Sequence, residues 1–97
     1  MSGALTPPST TEMIAFLRAY FGERVLNERV RNNHHVFTVR DRPEDPSVPL
    51  DRQHIGEKTL HNILQCAGIK VSEYRSLAAN PKLLKQYVKE KRREAGE

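Results

Sequence analysis

Apolar residues recur at three-to-four spacing from Met13 onward, where Met13, Ile14, Phe16, Leu17, Tyr20 and Phe21 fall on one broad helical stripe that stops at Gly22. Ser9-Thr10-Thr11-Glu12 ahead of it has capping-box spacing, with a hydroxyl able to accept from the third amide and a carboxylate able to reach back. The pattern predicts a first helix from Ser9 to the glycine. Residues 1–8 are small, polar and proline-ended, and are read as a flexible arm.

From Val25 the period shortens to that of strands. Val25–Arg31 and His35–Arg40 are β-prone runs separated by the turn signal Asn32-Asn33, which together predict a hairpin. Asp41–Pro46 carries two prolines and cannot continue a ladder, so it reads as a polar turn, and Ser47-Val48-Pro49-Leu50 reads as a short edge strand. Helical spacing returns over 56–67, where Leu60, Ile63, Leu64 and Ala67 share a face ahead of Gly68. Ser72–Leu77 fits a further turn or two, and Asn80-Pro81 opens a last helix with Leu83, Leu84, Tyr87 and Val88 on a narrow stripe. The order predicts an α+β sandwich, a three-stranded antiparallel sheet with helices on one face and an extra C-terminal helix. The expected division is an arm over 1–8, a domain over 9–78 and a basic helical extension over 79–97.

Composition narrows the class of partner. Among 97 residues, 16 Lys and Arg against 12 Asp and Glu leave a net charge of +4. The last sixteen residues hold six of those cations and three acids. Such an excess favours an acidic partner, nucleic acid first, although it also serves solubility alone. The single cysteine, Cys66, excludes an internal disulfide and fits a reducing cytoplasm. No stretch approaches the length of a membrane span, and the first residues lack the pattern of an export signal. Cys66 reads as a small filler, and His54 and His61 read as surface residues. Neither metal nor cofactor is expected, because no histidine pair except the adjacent His34 and His35 has tight ligand spacing, and adjacent side chains on a strand diverge.

Those two histidines are the chemically suggestive feature. A histidine can take the proton of a ribose 2′-hydroxyl near neutral pH, and arginine or lysine can hold the phosphate beside it. Strand parity sends His35 inward with Phe37 and Val39, and His34 outward with Val36 and Thr38, unless a bulge near the turn exchanges them. His34 is therefore the first candidate base and His35 the second. Arg29, Arg31 and Arg40 are expected near the pair in any hairpin pairing. A structural reading, with both histidines as mere turn-proximal strand residues, stands beside this one.

Two blocks resemble a known family. Val30-Arg31-Asn32-Asn33-His34-His35-Val36-Phe37 is similar to the basic residue, Gly-Ser turn and histidine leading into an apolar strand of the HicA toxins. Val48-Pro49, Ile55, Thr59-Leu60, Ile63-Leu64, Ala67-Gly68-Ile69 and Ser72-Glu73-Tyr74 resemble that family's second block in the same order. The chain departs from the pattern at Asn32-Asn33 in place of Gly-Ser, at Lys58 in place of a glycine, in a slightly shorter loop after Pro49, and in the extension from Ala78. The resemblance implies a fold like that of a double-stranded-RNA-binding domain and an endoribonuclease that arrests translation by cutting messenger RNA. It further implies silencing by a cognate HicB-like antitoxin protein. The reaction expected of a histidine base needs no metal, and Lys58 is expected, with the three arginines, to contact RNA. Two other functions fit the same residues: an RNA-binding domain of this fold without catalysis, and a protein-interaction module or inhibitor encoded by a mobile element.

Overall fold

The computed structural model describes residues 7–94, so most of the expected arm and the last three residues of the extension lie outside the described residues. The first helix, α1, spans Thr10–Phe21. Its capping box is complete: the Ser9 hydroxyl accepts from the Glu12 amide at 3.0 Å and the Ser9 amide donates to Glu12 Oε1 at 2.8 Å. The Ser9 amide first, and then the Ser9 hydroxyl, hold the Glu12 carboxyl below the usual carboxylate range. Pro8, placed in the arm by its sequence context, is buried, and its carbonyl accepts from the Ile55 amide at 2.9 Å. Contact with the body of the protein thus includes the residue before the cap.

Gly22 ends α1 with a φ of 54° and opens a single 3-10 turn over Gly22–Arg24. Strand β1 (Val25–Arg31) then pairs antiparallel with β2 (His34–Val39), with a bulge at Leu26. Asn32 and Asn33 have φ of 51° and 61°, the two successive left-handed residues that a two-residue hairpin turn requires. Asparagine adopts that geometry at lower cost than a branched residue does. Strand β3 (Ser47–Pro49) pairs with the first half of β2, giving the order β1-β2-β3. The expected strand residues Arg40 and Leu50 fall just beyond their strands.

Helix α2 spans Glu57–Ala67 and closes at Gly68, whose φ of 76° is left-handed. The amides of Gly68 and Ile69 bond back to Gln65 and Leu64 at 3.1 and 2.9 Å. The following segment is more ordered than the turn or two expected of it: α3 is a nine-residue helix, Val71–Ala79. Asn80 caps α4 (Pro81–Glu94), its side-chain oxygen accepting from the amides of Lys82 and Leu83. The class is α+β, with a three-stranded antiparallel open sheet and four α-helices among the described residues.

One core unites these elements. Met13, Phe16, Leu17 and Phe21 of α1 meet Phe37 and Val39 of β2 and Val48 of β3, and Leu60 and Leu64 of α2 join the same cluster. Tyr74 of α3 sets its ring edge-on to Phe16 at 4.9 Å. The helix α4 is attached by Tyr87, which stacks on Tyr20 at 5.4 Å while their hydroxyls lie 3.1 Å apart. Burial and these neighbours push the Tyr20 hydroxyl far above the ordinary tyrosine range. Helix α4 is amphipathic, and Leu84 and Tyr87 on its apolar side pack against the core.

Candidate functional site

Pleating separates the two histidines, as parity requires. His35 pairs with Val30 and Val48, stacks obliquely on Phe37 at 4.9 Å, and keeps only 17% of its side chain exposed. His34 is exposed and lies directly opposite Arg31 on β1 and Pro49 on β3. Paired residues on neighbouring strands share a face, so the Arg31 side chain leaves the sheet beside that of His34.

Hydrogen bonding gives the two rings different capacities. His34 Nδ1 lies 2.9 Å from the carbonyl oxygen of Asn32. A carbonyl only accepts, so Nδ1 carries the proton and Nε2 of the neutral ring keeps its lone pair. His35 Nε2 lies 2.7 Å from Glu28 Oε1 and must donate to that carboxylate. Glu28 also takes Arg18 in a fork, Nη2 to Oε1 at 2.7 Å and Nε to Oε2 at 3.0 Å. The Arg18 guanidinium, and then the His35 ring, bring the Glu28 carboxyl down to about 2, against the opposing effect of partial burial. Arg18, Glu28 and His35 thus tie α1, β1 and β2 together on the helix side of the sheet. Neither Arg18 nor Glu28 stands out in the sequence. Glu28 alternates with Val30 on β1, which was the available signal.

Beside His34 a cleft of about 310 Å³ runs between the sheet edge and α2. His34, Ser47 and Pro49 form one wall, Thr59, Asn62 and Ile63 the other, and Cys66 lies further along α2. Two arginines hold α2 in place along this cleft. Arg42, in the loop between β2 and β3, donates to the Cys66 carbonyl at 2.9 Å and covers Gly68, where a Cβ would come within 2.6 Å of the guanidinium. A cation suits the carbonyl-rich end of a helix. At the other end Arg52, which also pairs with Asp51 at 3.5 Å, reaches Thr59 Oγ1 at 3.4 Å. That contact puts a guanidinium at the rim of the cleft that His34 lines, a position the sequence did not single out.

The remaining expected cations are less well placed. Arg29 shares the face of His34 but donates to Thr38 at 2.7 Å and to Asp45 at 3.1 Å. Arg40 follows β2 at the end opposite the turn, its amide bonded to Arg24, roughly 20 Å from His34 at strand rise. The expectation that it lies near the pair is therefore incorrect, because a six-residue strand carries its last residues away from the turn. Lys58 is exposed on the first turn of α2, next to Thr59 but outside the cleft wall. Cys66 is not activated: burial and then the nearby Glu44 raise its thiol above the ordinary cysteine range. His54 and His61 are exposed. Among the described residues no three His, Cys, Asp or Glu side chains gather as metal ligands would, and no helix is long and apolar enough to cross a membrane.

No protein-family model, curated protein or solved structure matches the chain.

Proposed function

We propose that this chain is an endoribonuclease that cuts single RNA strands with His34 as general base, on a fold of the double-stranded-RNA-binding-domain type. The observation that carries the reading is the bond from His34 Nδ1 to the Asn32 carbonyl, which leaves Nε2 as a lone pair beside Arg31 at the mouth of a cleft. A base oriented in this way suits removal of the ribose 2′-hydroxyl proton. The 2′-oxygen then bonds to phosphorus, the bond from phosphorus to the 5′-oxygen breaks, and that oxygen leaves with a proton from water. The products are a 2′,3′-cyclic phosphate and a 5′-hydroxyl. In this reading Arg31, opposite His34, and Arg52, at the rim of the cleft, oppose the charge that builds on the phosphate oxygens. The resemblance to HicA toxins extends the proposal to arrest of translation, with a HicB-like protein as the silencing partner and messenger RNA as the substrate.

The test is incubation of end-labelled RNA with purified protein in the presence of a chelator. The expected result is cleavage with cyclic phosphate ends, blocked by a 2′-deoxy sugar at the cut and lowered ~10²- to 10⁴-fold in the His34→Ala variant. RNA left whole at a large excess of folded protein would overturn the catalytic reading. Retention of that uncut RNA on a gel would then favour the binding domain without catalysis.

A further inference from the structure

The cleft between β3 and α2 is chemically unlike the charged groups around it, Arg52 and Asp51 at one end and Glu44 at the other. Its walls present small apolar patches of the largely buried Pro49 and Ile63 together with the uncharged polar groups of Ser47, Thr59 and Asn62. No carboxylate, ammonium or guanidinium belongs to its lining. A phosphate would find no charge partner inside it, whereas a flat heteroaromatic ring would find apolar faces and hydrogen-bonding groups for its edge. The volume of about 310 Å³ accommodates one such ring with part of its sugar.

Two of the polar side chains are uncommitted. Asn62 and Ser47 make no side-chain hydrogen bond with another described residue, while Thr59 already accepts from Arg52 and the Cys66 thiol turns toward Glu44. Asn62 is exposed on α2, one turn beyond Thr59, and its carboxamide offers a donor and an acceptor together. That pairing matches the edge of a nucleobase, which also presents donors beside acceptors. His34 lines the same cleft, so a base held there belongs to the nucleotide whose 2′-hydroxyl faces the imidazole.

We infer that the β3–α2 cleft is a nucleobase subsite for the nucleotide on the 5′ side of the cut, with Asn62 reading the base edge and Pro49 and Ile63 holding the ring. The inference rests on the ribonuclease reading for its place in the reaction, but it is tested by binding alone.

The probe is a short oligoribonucleotide with a 2′-deoxy sugar at one position, where the base is varied through all four, so that affinity is read by fluorescence anisotropy without cleavage. Wild-type protein is expected to favour one base by about tenfold, the size of a good two-bond contact to a base edge. Asn62→Leu, which keeps helix propensity and removes both bonding groups, is expected to bring the four affinities together. His34→Ala is expected to keep the preference. Equal affinity for all four bases in the wild type, or a preference that survives in Asn62→Leu, would overturn the subsite while leaving the ribonuclease reading intact. Absence of binding to every probe by folded protein would overturn both. A thermal melt of Asn62→Leu matching the wild type establishes that the comparison is between folded proteins, and Asn62→Asp, which loses the donor alone, supplies a second variant with a changed order of bases as its expected result.

Discussion

His35 Nε2 donates to Glu28 Oε1 at 2.7 Å, and the same oxygen receives Arg18 Nη2 at an equal distance. The carboxylate is thereby a junction of two strands and a helix, and the inward histidine is a structural member of it. Among the described residues the outward histidine bonds only to its own turn, through Nδ1.

The histidines should therefore separate by phenotype. His35→Ala is expected to lower stability by about 2 kcal/mol, through the lost bond to a charged partner and the cavity beside Phe37. His34→Ala should leave the melting curve in place and remove RNA cleavage. Chemical denaturation alongside a cleavage assay on both variants checks this, and the opposite pattern would assign the roles the other way.

Acid should weaken the Glu28 junction over a definite range. Because its folded value is about 2 against 4.5 for an ordinary glutamate, the stabilisation is complete above about pH 4.5 and is lost as the pH falls toward 2. Glu28→Gln should cost about 1 kcal/mol at neutral pH, given partly exposed partners, and should flatten that part of the stability profile. Urea titrations of both proteins from pH 2 to 7 measure the difference.

Gly68→Ala meets two obstacles, a φ of 76° and a Cβ position 2.6 Å from the Arg42 guanidinium. The expected loss is about 2 kcal/mol. Arg42→Ala removes the contact but not the backbone strain. The double variant should accordingly be less damaged than the sum of the singles, a coupling that a double-mutant cycle in denaturant detects.

The hairpin turn offers a change in the opposite direction. Asn33 has a φ of 61°, and Asn33→Gly, which forms the preferred Asn-Gly turn, should stabilise the protein by about 0.5 kcal/mol. Asn33→Val should destabilise it by about 1–2 kcal/mol, since a branched side chain resists left-handed backbone. Thermal melts of the two variants give the sign directly.

Cation placement predicts the salt response of RNA binding. Arg52→Ala should reduce the slope of log affinity against log salt by about 0.7 to 1, and Arg40→Ala, at the remote end of β2, should leave it unchanged. Binding isotherms at several salt concentrations distinguish them. Equal losses in both variants would place the RNA path from the α2 end of the cleft to the far end of β2.

Local chemistry made much of this molecule legible in the chain. The capping box at Ser9, the stop at Gly68, the Asn32-Asn33 turn and the parity of His34 and His35 are each decided by residues within a few positions of one another, and each is present in the structure. Other features depend on residues brought together from distant parts of the chain. Glu28 reads as an ordinary strand carboxylate until the packing of α1 brings Arg18 to it, and Arg52 reads as a loop cation until α2 presents Thr59. Arg40 was misplaced because strand length, unlike turn type, converts directly into distance. The sequence by itself thus determined which helices and strands form and in what order, with their ends placed to within a residue or two, since capping, turns and hydrophobic period are short-range effects. Only the tertiary structure decided that Arg52 joins Arg31 near the outward histidine and that a cleft lies beside it, because both follow from how α2 docks along the sheet edge.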